Sequence, residues 1–159
     1  MTLTTRRHAL LGGLAFAMAS PAFAQDRFAR AAVRGLTDAQ WRARLQPAAY
    51  AVLRRHATER PFSSPLNEEH RRGLYSCAGC ALPLFRSEWK FESGTGWPSF
   101  YRVMNQNIGR RTDRSLGMVR TEYHCAQCLG HQGHVFNDGP RPTGLRYCNN
   151  GVALTFTPA

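Results

Sequence analysis

Two Cys-x-x-Cys pairs, Cys77-Ala78-Gly79-Cys80 and Cys125-Ala126-Gln127-Cys128, constrain this chain more than any other feature. Two residues between cysteines let both thiolates reach one tetrahedral ion from a tight turn, and two such turns complete a four-sulfur shell. Zinc is the favoured ion, because it is redox-inert and suits tetrahedral thiolate ligands. Forty-four residues separate the pairs, against about 15–20 in a small zinc ribbon. The metal would therefore staple distant parts of a larger fold. The same cysteines also allow a disulfide within each pair, a thioredoxin-like redox motif or an iron centre, although no βαβ pattern surrounds either pair.

The staple fits a single domain. The chain has 159 residues, 43% hydrophobic and 19% charged, enough for a packed core. Residues 25–36 read as a lead-in and residues 37–159 as the domain. Thr37-Asp38-Ala39-Gln40 has the form of a capping box, with Trp41 and Leu45 on one helix face. Pro47 suits the first turn of a second helix, with Tyr50, Leu53 and Ala57 along one side. Residues 60–72 read as a wrapping loop. From Gly73 onward the segments are short and β-like: 74–76, 119–123 and 152–156, the last alternating with Val152, Leu154 and Phe156 on one face. The expected architecture is mainly β, in small antiparallel sheets with short helices at the front.

The first 24 residues read as an export signal. Arg6 and Arg7 form a charged start, an apolar stretch runs from Ala9 to Ala19, and Ala22-Phe23-Ala24 fits a cleavage site. The alternative is an uncut membrane anchor, but the stretch is short for one. Thr5-Arg6-Arg7 with Leu10 resembles a twin-arginine signal, although Ala9 stands where that signal commonly has Phe; an ordinary secretory signal is the other route. Export to the bacterial periplasm is expected, with no stable membrane insertion after cleavage. A net charge of +11 permits an anionic partner without showing one. Nucleic acid is not expected as a partner in that compartment, and a monomer is.

The fifth cysteine, Cys148, stands outside the two pairs, in Arg146-Tyr147-Cys148-Asn149-Asn150. A lone cysteine is commonly a small buried hydrophobe. Here Arg146 would favour a thiolate, and Asn150 would share a strand face with Cys148. Upstream, His131-Gln132-Gly133-His134 supplies two imidazoles, which read as proton donors or as further ligands of the same metal. Gly94-Thr95-Gly96-Trp97-Pro98-Ser99-Phe100 is a Gly/Pro-framed turn whose Trp97 either caps the core or floors a pocket for a small apolar group.

Taken together these motifs resemble the zinc-bearing methionine-R-sulfoxide reductases. The resemblance runs from about Leu36 to Phe156. It includes Thr58-Glu59-Arg60-Pro61-Phe62, both cysteine pairs, Gly96-Trp97-Pro98-Ser99-Phe100, and the segments 133–140 and 142–148. It implies two antiparallel sheets with N-terminal helices, and zinc held by Cys77, Cys80, Cys125 and Cys128 on the far side from the active site. It also implies Cys148 as nucleophile, Trp97 against the substrate methyl, and His131, His134 and Asn150 around the sulfoxide oxygen. Hydrogen bonds to that oxygen make the sulfur attackable, and Cys148 would be left as a sulfenic acid. The implied substrate is methionine sulfoxide, free or in oxidised exported proteins.

Three departures stand out. Many relatives carry a resolving cysteine where this chain has Thr95, so an external thiol, such as thioredoxin or a small thiol, is expected to reduce Cys148. Asn149-Asn150-Gly151 replaces an apolar residue, Asn and Ser. Arg110, Arg111 and Arg114 lie in the region where relatives often have a histidine. Two readings outside catalysis remain: a silent thiol-redox sensor of the same fold, motivated by Thr95, and a zinc-stapled basic binding module, against which the scattered basic residues count.

Overall fold

The computed structural model describes residues 27–159. The export signal read over residues 1–24 lies outside the described residues. No helix among the described residues is long and apolar enough to cross a membrane.

The capping box forms as its residues dictate. Thr37 accepts the Gln40 N–H at 3.3 Å, and the Gln40 side chain accepts the Thr37 N–H at 2.7 Å. It opens α1 (Asp38–Arg44). Pro47 opens α2 (Pro47–Arg55), which ends where His56 turns into the left-handed region at φ 57°. Trp41, Tyr50, Val52 and Leu53 are buried. The wrapping loop then carries only a short 3₁₀ turn, Pro65–Asn67.

Nine strands follow. The first five are β1 (Gly73–Cys77), β2 (Pro83–Arg86), β3 (Lys90–Phe91), β4 (Ser99–Phe100) and β5 (Ile108–Asp113). The remaining four are β6 (Arg120–Cys125), β7 (His131–Phe136), β8 (Arg146–Asn149) and β9 (Leu154–Pro158). They make two sheets, ordered β2-β1-β9 and β3-β4-β8-β7-β6-β5, with every pairing antiparallel. Aromatic rings fill the space between the sheets. Phe85 of the small sheet stacks on Phe100 of the large one at 4.0 Å between centroids, and Tyr75 meets Phe100 edge-on at 5.0 Å. Tyr123 and Tyr147 add an edge-on pair at 5.5 Å. Such rings each remove roughly 150–250 Å² from water and set the spacing of the layers.

Strand alternation sends the neighbours of these core residues to the opposite face. Register aligns Arg111, Glu122, His134, Cys148 and Ser99 across five strands in one row. Gly133 permits the close approach of β7 to β8, since a Cβ there would stand 1.9 Å from the Cys148 carbonyl oxygen.

One expected strand begins later than its alternation suggested. Residues Gly151–Ala153 form a 3₁₀ turn, and β9 starts only at Leu154. The cause lies far away in sequence. The Glu59 carboxylate accepts the N–H groups of Gly151 at 2.5 Å and Val152 at 3.1 Å, removing them from any strand ladder.

Candidate active site and metal centre

The four paired cysteines converge. Their sulfurs lie within 4.8 Å of one another, with Cys77 and Cys128 at 3.5 Å and Cys80 and Cys125 at 3.4 Å. Thiolates about 2.3 Å from a tetrahedral zinc stand roughly 3.8 Å apart, so this donor set fits the ion. All five cysteines are free of disulfides, and no other His, Cys, Asp or Glu among the described residues joins the cluster. The two turns are built alike. Ala81 and Leu129, the residues after each pair, sit at φ 60° and 61°, and their N–H groups reach back to the carbonyls of Cys77 and Cys125. The Gln132 amide donates to the Cys77 sulfur at 3.3 Å. Arginines cap the turns from the N-terminal segments. Arg34 donates to the Ala126 and Gln127 carbonyls, Arg44 to Gly79 and Arg54 to Cys128. Those cations would offset the negative charge of four thiolates on one divalent ion.

Cys148 sits elsewhere, in a notch of about 120 Å³ shared with Trp97, His134 and Phe136. None of the four clustered cysteines lines this notch. The Trp97 indole N–H donates to the Glu59 carbonyl at 3.1 Å, which fixes the ring as an apolar wall. Gly96, at φ 87° and hard against Phe62, holds the turn that presents it. Opposite, Phe136 is covered by the Arg146 guanidinium, 4.3 Å from the ring centre.

Burial pushes the Cys148 thiol above its ordinary value. Arg146 and a hydrogen bond with Thr95 pull it down but do not prevail. The expectation that Arg146 would favour a thiolate is thus met only in part. Arg146 is committed to Asp138 through two bonds of 2.8 Å, so much of its charge is already neutralised. The Thr95 contact places position 95 near the Cys148 sulfur. Thr95 is bonded to Ser93 at 2.8 Å and Ser93 to Ser99 at 2.7 Å, and Ser99 is the register partner of Cys148 across β4 and β8.

Both imidazoles of the His-Gln-Gly-His segment reach the same face, although strict alternation would separate residues three apart. A bulge between Tyr123 and His124 makes the difference. Gln132 is the extra residue, and it brings the His131 and His134 rings to 5.5 Å. Bulges re-aim side chains in this way. Each ring then has its own carboxylate: His134 Nε2 lies 2.7 Å from Asp113, and His131 Nδ1 lies 2.8 Å from Glu122. The carboxylates are ionised and accept, so the rings donate. Burial would raise the Glu122 carboxyl, but hydrogen bonds from His124 and His131, with the charges of His131 and Arg111, hold it well below the usual range. Hydrogen bonds from Ser115 and His134 do the same for Asp113. Burial lowers His134 despite its Asp113 partner. These side chains line a polar basin of about 510 Å³ beside the notch, and Thr58, Arg120 and His134 border both.

The structure therefore brings Cys148, Trp97, His134 and Asn150 to one notch and His131 to the adjoining basin. The alternative that His131 and His134 complete the cysteine metal shell is not what forms, because both rings are taken by carboxylates on β5 and β6. Asn150 borders the notch with its amide already engaged. It accepts the Glu59 N–H at 3.0 Å and donates to the Gln132 carbonyl at 2.9 Å, so it fastens the segment between α2 and the wrapping loop to β7. Sequence reasoning missed Asp113, Glu122, Arg120 and Phe136 as site residues. A glycine inside a strand, Gly133 between the histidines, was an available signal of the bulge that gathers them.

Residues 45–158 match the SelR domain family. The chain is 56% identical over 123 residues to the peptide methionine sulfoxide reductase MsrB of Thiobacillus denitrificans, covering 77% of this chain and 93% of that protein. It is 54% identical over 123 residues to MsrB of Bradyrhizobium diazoefficiens, covering 77% and 88%. Among solved structures, the Mis18 "Yippee-like" domain is similar at a TM-score of 0.46 and 16% identity, covering 56% of this chain and 98% of that one. The four-cysteine cluster, the two antiparallel sheets and the identity over nearly the whole described domain agree on one placement: the chain belongs to the SelR-domain family, that of the MsrB peptide methionine sulfoxide reductases.

Proposed function

We propose that this chain reduces methionine-R-sulfoxide, free or within proteins, to methionine through Cys148, and that an external thiol restores the cysteine. One observation carries the assignment of roles. Cys148 lies directly opposite His134 across the β7–β8 pair, and His134 is itself held by Asp113.

That row suits the chemistry. With Nε2–H donating to Asp113, the His134 Nδ1 lone pair is left to take the Cys148 proton. Thiolate and imidazolium then face a sulfoxide whose methyl group rests between Trp97 and Phe136. The thiolate attacks the substrate sulfur while the imidazolium protonates the departing oxygen. Water formed from that oxygen then attacks the Cys148 sulfur, and the transient sulfur–sulfur bond breaks to release methionine; net, the substrate sulfur–oxygen bond breaks and an oxygen bond to Cys148 forms. The substrate sulfur gains two electrons, the cysteine sulfur loses two, and the thiol proton ends on the sulfenic oxygen. One external thiol then condenses with the sulfenic acid, releasing water, and a second frees Cys148 as thiol. His131, whose Nδ1–H is held by Glu122, borders the adjoining basin and would meet the oxygen through water. Asn150 and Glu59 act as positioning residues. The four cysteines would hold zinc, whose part is to fix the sheets and not to enter the reaction.

A single turnover tests this reading. The reduced protein, given methionine-R-sulfoxide without reductant, is expected to release about one methionine per chain, with Cys148 trapped as sulfenic acid and the metal retained. No methionine from either epimer would discard it, and Cys148→Ser is expected to release none. We propose export to the periplasm as a monomer through the signal in residues 1–24. Replacing Arg6 and Arg7 together by lysine is expected to leave the chain in the cytosol if the twin-arginine route is used, and to change nothing if it is not.

A further inference from the structure

The polar basin contains a second set of metal donors that the cysteine cluster does not use. His56, Glu122 and His131 each offer one ligand atom, and these atoms lie within 4.8 Å of one another. They come from three different elements: the end of α2, the middle of β6 and the start of β7. The His56 and His131 rings are 5.1 Å apart, and His56 Nδ1 is 3.9 Å from the Glu122 carboxylate. His56 holds its place as the left-handed cap of α2.

A cationic group already occupies the space among these donors. The Arg111 guanidinium contacts Glu122 at 2.7 Å through Nε. Its Nη2 also reaches the two ring nitrogens of His56 at 3.4 and 3.3 Å. The Glu122 side chain is only 3% exposed, whereas that of Arg111 is 54% exposed and free to swing into solvent. A buried carboxylate needs a cation, and two imidazoles beside it are better donors to a transition metal than to a guanidinium. Two imidazoles and one carboxylate suit zinc, copper, nickel or cobalt, with remaining positions open to water.

We propose that His56, Glu122 and His131 form a second divalent transition-metal site, in competition with Arg111, and that its occupation inhibits the chain. Binding requires no redox step. His131 now donates Nδ1–H to Glu122; as a ligand through Nδ1 the neutral ring would carry its proton on Nε2 instead. The metal fixes that tautomer and places positive charge beside His134, which opposes formation of the imidazolium. The inhibitory part rests on the reductase reading, and the binding does not.

The test uses Co²⁺ on the reduced, zinc-loaded chain carrying Cys148→Ser, so that no free thiol competes. One equivalent is expected to bind, giving cobalt d–d absorption without a thiolate charge-transfer band. His56→Asn, which keeps a residue tolerant of the left-handed region, is expected to weaken binding about tenfold or more. Arg111→Gln is expected to tighten it several-fold by removing the competitor. In the Cys148 chain, Co²⁺ is expected to suppress turnover over the same concentration range, and His56→Asn to keep basal turnover while resisting the metal. Absence of binding outside the cysteine cluster, or binding indifferent to both substitutions, would overturn the site. Binding without any effect on turnover would overturn the inhibition. A chain inactive before cobalt is added would instead count against the reductase reading, and the cobalt titration would still be decisive for the site.

Discussion

Thr95 lies near Cys148, the one cysteine outside the metal cluster, and its hydroxyl stands where a second thiol would serve. A cysteine introduced there would lie near Cys148. Thr95→Cys is therefore expected to form an internal disulfide after one turnover. A thiol count would show two thiols lost per chain, with the metal retained; the unaltered chain would lose one. The Cys148 thiol itself is held above its ordinary value by burial, so its alkylation rate at fixed reagent is expected to rise with pH to a midpoint above that of a free cysteine. At this scale the sequence was informative where chemistry is written in spacing or residue type. The cysteine pairs, the leftover Cys148, the two histidines and Trp97 were all legible. Asp113 and Glu122 were not, because a carboxylate on a neighbouring strand becomes a partner only through register, and register depends on pairings that no local pattern reveals.

The elements show the same division. Both helices could be read from Thr37, Gln40 and Pro47, since caps are local chemistry. The strand expected over 152–156 starts two residues later, because Glu59 takes the N–H groups of Gly151 and Val152 from a loop some ninety positions earlier in sequence. Glu59→Ala frees both donors and is expected to cost roughly 2–4 kcal/mol, read as a shift of the urea midpoint. The bulge in β7 is more sensitive still. Adding a methyl at Gly133 would drive it into the Cys148 carbonyl, so β7 and β8 must part or the strand must slide. Gly133→Ala is expected to destabilise by about 3 kcal/mol. It should also lower turnover beyond the loss of folded protein, because His134 and Cys148 are aligned by that pairing.

At the scale of the whole molecule, folding is coupled to acid and to metal. His56 and His134 are lowered from their ordinary values by burial, so the unfolded chain binds their protons more readily. Their contribution to stability is present above about pH 6.5 and is lost as pH falls through their lower folded values. Asp113 and Glu122 are depressed as well. Their contribution is full above about pH 4 and disappears below it. Thermal melts are thus expected to fall in two stages on acidification, and a melt that rose towards pH 5 would contradict these assignments. The four cysteines join the ends of β1 and β6, one from each sheet, so chelation is expected to lower the melting temperature far more than any single substitution above. Arg34, Arg44 and Arg54 grip the carbonyls of the same two turns. The front of the chain is thereby clamped to turns whose shape the metal would maintain. A copy that never acquired its ion would let α1 and α2 drift from the sheets and expose Trp41 and Leu53 to any nearby protease. Metal loading would then double as a certificate of maturity, with unloaded copies cut within their first helices while loaded ones persist.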